Sequence, residues 1–339
     1  MAPKIFAFLA VAAVAGPATA GVTFTVHESE SRIEVQVDGE PFTDYLYRAD
    51  LKKPVLFPLR TDRGVLVTRG FPLAPRSGER VDHPHHTGLW LDYGAVDGVD
   101  FWNNSTASTR TAEMGTVVHR AVRRAKGGKT GRLDVEMDWV MPGGRTALHE
   151  ETGFVFRTGK RLRVIDRITT LSAAGERVVM GESKEGLLGL RVARFLEQPE
   201  GKPVALTDAG GKPGPAVLDE ARVTGRYLTS EGNSGDEAWG TRGRWALLAG
   251  THDGEAVTIA ILDHPQNPGH PTYWHARGYG LFAANPIGQQ AFDEKQPKRE
   301  LVVDPARPVT FRHRVLIASK ALTPADVEKE YRRFVNAKD

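Results

Sequence analysis

Three imidazoles fall within four residues at the start of "HPHHTGLWLDYGAVDGVDFW", the stretch from His83 to Trp102, in a chain that holds 11 histidines. Imidazole carries or gives up a proton near neutral pH, with an ordinary pKa near ~6.5, so such a cluster suits general acid–base chemistry. A His-x-His pair such as His83 and His85 also suits a transition metal, provided a third and usually a fourth ligand arrive from elsewhere. His264, His275, Glu185 and Glu150 are the candidates for those positions, so a divalent metal is possible and no cofactor is required. A third use is structural, with the rings bonding backbone groups in a turn. In an extended segment His83 and His85 would project to one side and His86 to the other.

The tripeptide Asp-His-Pro recurs at Asp263, opening "DHPQNPGHPTYWHARGYGLFAANPIG". Proline restricts the residue before it to extended conformations and removes a backbone donor, which places both histidines in irregular loops, where function concentrates. The proton-transfer candidates are therefore His83, His85, His264 and His275, with imidazoles of both loops meeting at one pocket. Glu185 is the candidate carboxylate. It interrupts the apolar and glycine-rich "SKEGLLG", where burial would raise its pKa toward that of a useful base, or it pairs with Lys184.

Aromatic and guanidinium groups near these loops point to a sugar. An indole offers a flat apolar face to a pyranose and an N–H to its hydroxyls. Trp274, between Tyr273 and His275, is expected to line the cleft, whereas Trp90 in the alternating "GLWLDYG" fits cleft or core equally and Trp139 fits the core. Arg191 and Arg277 can fork onto carboxylates or vicinal hydroxyls. His86 and Asn285 complete the substrate-binding candidates, although Asn285, next to a proline, also suits a turn.

Strands must position these groups. "VTFTVHE", "RIEVQVDG", "RLDVEMDWVM", "RLRVIDRITTL", "EAVTIAILD" and "VTFRHRVLIAS" alternate or are rich in β-branched residues, and Gly, Pro or Asp punctuates their ends. No βαβ rhythm is present, so the expected fold is all-β: one large antiparallel β-sandwich over residues 21–339 with long loops over one face. The Gly/Pro-rich Thr207–Asp219 is expected as a long surface loop. One helix is expected at the end, over 323–336. There Thr323 caps, Pro324 takes the first helical position and Asp326 closes a capping box.

"DHPHHTGLWLDYGAVDGVDFW", "SKEGLLGLRVA" and "DHPQNPGHPTYWHARGYGLFAANPIG" together resemble an exported bacterial family of unknown function known under the name PmoA, that of a methane monooxygenase subunit. The resemblance covers nearly all of the chain after its first residues. It implies similarity to large sandwiches of the galactose-mutarotase type, which bind and transform sugars. That subunit is a multi-span membrane protein, and this chain has no segment long and apolar enough to span. The aldose-epimerase histidine and glutamate motifs are absent, so the likeness implies fold more than reaction.

The composition narrows the partners. The formal charge is +3 over 339 residues, with acids and bases interspersed. The basic run His119–Lys129 ends in a Gly-Gly turn and reads as a solvated hairpin, not a nucleic-acid surface. With no cysteine, thiolate metal sites and cysteine nucleophiles are excluded. Residues 1–20 read as a secretory signal cleaved near Ala20, so the protein is expected to be periplasmic or extracellular. The leading reading is an exported enzyme performing proton-transfer chemistry on a small or oligomeric sugar, of epimerase, lyase or hydrolase type. A non-catalytic sugar-binding protein and a metal-dependent oxygenase or lyase stand beside it.

Overall fold

A computed structural model describes residues 21–208 and 210–337; the signal expected over residues 1–20 lies outside them. Two eight-stranded antiparallel sheets face each other. The first runs in the spatial order Val22–His27, Arg32–Val37, Glu40–Leu46, Val55–Phe57, Leu89–Tyr93, Gly186–Arg191, Leu281–Asn285, Tyr273–Arg277. The second runs Arg226–Thr229, Trp245–His252, Glu255–Asp263, Val309–Ala318, Leu162–Ala173, Thr146–Gly159, Thr130–Val140, Thr116–Lys126. All six segments read as strands from their alternation are strands.

The period-2 geometry of a strand sends alternate side chains to opposite faces. Inward residues of both sheets form one core: Ile33, Tyr45, Leu91, Leu188 and Phe282 from the first, Val135, Phe156, Ile165, Ile261 and Val315 from the second. Phe156 of the second sheet meets Phe24 and Phe42 of the first edge-on, at ring centroids 5.8 and 6.1 Å. Trp139 lies in this core as expected, its indole N–H donating to Glu150 at 2.8 Å. Glu150 in turn accepts from Arg167 at 2.8 Å. It is a core ion pair, not a ligand in reserve.

Both outer faces are covered, which is why Leu89–Tyr93 is buried throughout despite its alternating sequence. On the second sheet the cover is the helix Pro324–Val335, whose Val327, Tyr331 and Phe334 pack on Trp245, Leu262 and Leu316. The capping box of Thr323 and Asp326 is present. On the first sheet the cover consists of loops, over a cluster of Leu46, Phe57, Trp90, Trp102, Leu281 and Ala283.

Thr207–Asp219 departs from expectation. It contains the exposed strand Pro213–Val217, paired with Val204–Thr207. Its turn residues close a hairpin instead of a structureless loop. The basic run forms a strand and turn, with Arg120 paired to Asp138 and Arg123 to Glu136. Among the described residues no helix is long and apolar enough to cross a membrane.

Candidate functional site

Cross-strand register decides which candidates share a face. Trp90 pairs with Gly189, Gly189 with Ala283 and Ala283 with His275, a single row across four strands on the outer face of the first sheet. The next row, Leu91, Leu188, Ala284 and Trp274, points into the core. Trp274 is accordingly fully buried between the sheets. It is a core residue and not the cleft tryptophan, because His275 beside it takes the outward position. A further outward row sets Arg191 and Arg277 on either side of Leu281.

Above this face the segment Asp82–His86 is a tight turn and not an extended strand. His83 has φ +43°, in the left-handed region, and the His86 amide bonds the His83 carbonyl at 2.9 Å. Such a backbone is strained for a residue with a Cβ and persists only where its surroundings hold it. Arg69 does the holding. Its buried guanidinium donates to the Asp82 carbonyl (2.7 Å), the His83 carbonyl (2.9 Å) and the His86 carbonyl (3.1 Å), and to Asp82 Oδ1 (2.7 Å). Several charge-assisted bonds to one turn outweigh the restriction imposed by Pro84, which is why the reading from proline alone failed.

The turn brings the three imidazoles together instead of splitting them. His83 lies parallel to both Tyr279 (centroids 4.8 Å, planes 6° apart) and His86 (4.8 Å, 1°), which are themselves parallel at 6.3 Å, and His86 stacks on Trp90 (5.4 Å, 20°). The result is a cluster of near-parallel rings, running from the partly exposed Tyr279 and His83 to the fully buried Trp90. His85 meets His86 edge-on at 4.3 Å. Trp102 tilts against Trp90 at 5.0 Å. Below them Lys53, itself buried, donates to Asp92 Oδ2 at 2.6 Å and to the Trp102 carbonyl at 3.0 Å, while the Trp90 N–H donates to Asp92 Oδ1 at 3.0 Å. Gly189 makes room for the indoles: a Cβ there would sit 2.4 Å from Trp90 and 2.9 Å from Trp102.

Charge and burial give each ring its state. Burial would raise the Asp82 carboxyl, but His83, Arg191 and Arg69 outweigh it and hold it far below the usual carboxylate range. Asp82 is therefore ionised. Its Oδ2 lies 3.1 Å from His83 Nδ1, an ion-pair distance off the line of a good hydrogen bond. Burial, reinforced by Lys53, pushes His85 well below an ordinary imidazole, and burial with neighbouring His85 and Arg191 does the same to His86. Burial and Lys184 take His275 down to about 3. Those three rings are neutral at physiological pH. Burial, opposed by Lys53, lifts Asp92 to about 6.

Solvent reaches this assembly at two places. The His83 side chain is 39% exposed. Beside His85 a cavity of about 180 Å³ opens between Lys53, Leu73, Thr87, Asn104 and Ser105. The buried Asn104 amide donates to Gly115 and Thr116, but its carbonyl oxygen has no partner.

Of the sequence candidates, His83, His85, His86, Trp90, Arg191 and His275 lie on this face. Arg277 and Glu185 stand at its edge near Tyr279. Glu185 is ion-paired with Lys184, the structural alternative expected for it. Asn285 holds a turn, donating to the Ser183 carbonyl and accepting from Ile287 and Gly288. His264 does not join the site. Its ring packs edge-on against Phe334 of the terminal helix at 5.1 Å, and its Nδ1 accepts from the Gln266 amide. It thus lies on the outer face of the second sheet, with the whole core between it and His83. The second Asp-His-Pro is a structural copy, because Asp263 accepts from Asn267, His270 and the Thr272 amide. The expected meeting of His83 with His264 does not occur; from the second stretch it is His275 and Tyr279 that reach this face.

Arg69, Asp82, Tyr279, Lys53 and Asp92 belong to the site and were not among the sequence candidates. Asp82 was visible as the first residue of a repeated tripeptide. Lys53 and Arg69 carry no sequence signal. Among the described residues, no group of three or more His, Asp or Glu side chains is arranged to hold a metal ion.

The family model described as "Family of unknown function (DUF6807)" matches residues 32–332, and the chain belongs to that family. No curated protein matches the chain. Solved structures give distant likenesses. The α-galactosidase AgaB of family GH36 from Geobacillus stearothermophilus is 10% identical with a TM-score of 0.42, over 88% of this chain and 41% of that one. The Slr1438 protein from Synechocystis is 11% identical with a TM-score of 0.32, over 92% of this chain and 100% of that one. A glycoside hydrolase family 97 enzyme variant from a Pseudoalteromonas strain is 9% identical with a TM-score of 0.33, over 89% and 36%. This chain thus spans about two fifths of the galactosidase, and such TM-scores carry no argument about activity.

Proposed function

We propose that this member of the DUF6807 family is an exported, carbohydrate-active protein that moves a proton with His83. The observation that carries the reading is the Asp82–His83 arrangement: one solvent-reachable imidazole beside a carboxylate kept ionised by two buried guanidiniums. The carboxylate beside Nδ1 helps set the ring's orientation, leaving Nε2 to exchange a proton with a ligand. The parallel contacts of Tyr279 and His86 with the ring add rigidity, which proton transfer needs for alignment.

The neighbouring cavity supports a polyhydroxylated ligand. Its walls supply hydroxyls from Thr87 and Ser105 and the neutral ring of His85. His85, neutral and next to His83, can donate its N–H to an oxygen of the ligand.

Screening purified protein against a panel of glycans and oxidised sugars tests the reading, with His83→Ala alongside. Turnover of at least one sugar is expected, lost in the variant while its circular dichroism and melting temperature stay near those of the parent. Full turnover by His83→Ala contradicts the assignment.

A further inference from the structure

The charges around the ring cluster do not balance. Arg69 and Arg191, both fully buried, share a single carboxylate oxygen, Asp82 Oδ1, at 2.7 and 2.6 Å. The Nε atoms of both guanidiniums are buried without a hydrogen-bond partner. The next carboxylate, Glu197, is already bonded by Arg80 and Arg194. Lys53 is matched by Asp92 and Lys184 by Glu185. Arg277 is left over. It is exposed, and among the described residues no carboxylate lies within ion-pair distance of it. Its guanidinium lies 5.5 Å from the Trp239 ring and 5.8 Å from the Tyr279 ring.

That location matters because Tyr279 is the ring on which His83 stacks. Arg191 lies 4.9 Å from the same tyrosine. A ligand resting against the open side of His83 therefore meets an unpaired guanidinium fork, backed by a buried pair of arginines carrying one more positive charge than their shared carboxylate offsets. Guanidinium is suited to bidentate capture of carboxylate, and aromatic rings on its flank fix the plane of the fork. A field of one sign in a partly buried cleft also concentrates ligands of the opposite sign.

We propose that the ligand of this site is an acid sugar, its carboxylate held by Arg277 while His83 faces the ring carbon or hydroxyl that exchanges a proton. This rests on the reading that the His83 turn binds a carbohydrate, and narrows it to the anionic class.

D-glucose and D-glucuronate differ only at C6, as do D-galactose and D-galacturonate, so calorimetric titration of the full chain with both pairs isolates the carboxylate. In at least one pair the acid is expected to bind about tenfold or more tighter than its neutral partner. The gap should shrink in about 0.5 M sodium chloride, because a solvent-reachable ion contact is screened there. Arg277→Ala should collapse the ratio of the two affinities. Equal affinities within both pairs, or a ratio that survives Arg277→Ala, overturn the anionic assignment. In those cases a bound neutral sugar whose affinity is lost in His83→Ala still upholds the underlying site. If none of the four sugars binds, both readings fall.

Discussion

His83 and Tyr279 lie face to face, centroids 4.8 Å apart and planes within 6°, although 196 positions separate them in the chain. The contact joins the Asp82–His86 turn to the loop after the strand Tyr273–Arg277, and it places the exposed imidazole where Arg191 and Arg277 converge. Tyr279→Ala removes one face of the stack and the ring on which both arginines rest. Turnover is expected to fall at least about tenfold, with a cost in stability of about 1–2 kcal/mol, because the tyrosine is half-buried. Kinetics and chemical denaturation of the variant measure the two effects separately.

His264→Ala separates the two Asp-His-Pro loops. Since His264 packs on Phe334 across the molecule from His83, the variant is expected to keep the parent's turnover and lose about 1 kcal/mol of stability. Loss of turnover in a well-folded His264→Ala would mean that the second loop reaches the site after all.

Lys53 and Asp92 form a fully buried ion pair, and removing one member strands the other. Lys53→Met is expected to cost about 3–5 kcal/mol, whereas Lys53→Met combined with Asp92→Leu should recover most of that loss. Urea titrations of the single and double variants give the comparison. A single variant as stable as the parent would show that the pair is not desolvated.

Gly189 is the only residue type that clears the indoles of Trp90 and Trp102, with a Cβ held to 2.4 Å from the former. Gly189→Ala is expected to cost about 1–3 kcal/mol by overpacking. It should also quench or shift the tryptophan fluorescence as the stack under His86 is displaced. An unchanged emission spectrum would contradict the close approach.

Acid should destabilise the fold above the range where carboxylates titrate. Burial lowers His313 to about 4 and His275 to about 3, and lowers His85 and His86 as well. Unfolded histidines take up protons below about 6.5 while these buried rings do not, so between those values the unfolded state binds more protons. Stability is complete above about pH 6.5 and falls with decreasing pH, by up to about 2 kcal/mol per buried ring at pH 5. Asp92, raised to about 6, and Asp44 and Glu197, which burial also raises, work in the opposite direction, but they are three groups against five, since burial lowers His119 to about 4 as well. The urea midpoint measured at pH 7 and pH 5 tests the sign; a midpoint that holds or rises at pH 5 would contradict it.

The fold was legible because alternation is a property of each strand by itself. "RIEVQVDG" and "EAVTIAILD" state their inward faces without help from the rest of the chain. The site was legible in its histidines, in Trp90 and in the arginines Arg191 and Arg277, but not in the residues that hold them. Whether Trp274 or His275 faces outward depends on register against Leu281–Asn285, and the sequence does not print register. The Asp82 turn was misread because Pro84 speaks for an extended residue before it, while the guanidinium that overrides it comes from Arg69, across a loop. The repeat of Asp-His-Pro misled for a related reason. An aspartate that caps loop amides and one that takes two arginines look alike until their partners are known.

The most direct test of the central claim watches the imidazoles themselves. Nitrogen-detected magnetic resonance of the 11 histidines, titrated with D-glucuronate and with D-glucose, reports which ring meets the ligand. The account predicts that His83 shifts strongly and His85 more weakly on binding, with His264 and His313 unmoved. A ligand-induced shift at His264 with His83 unchanged would contradict it.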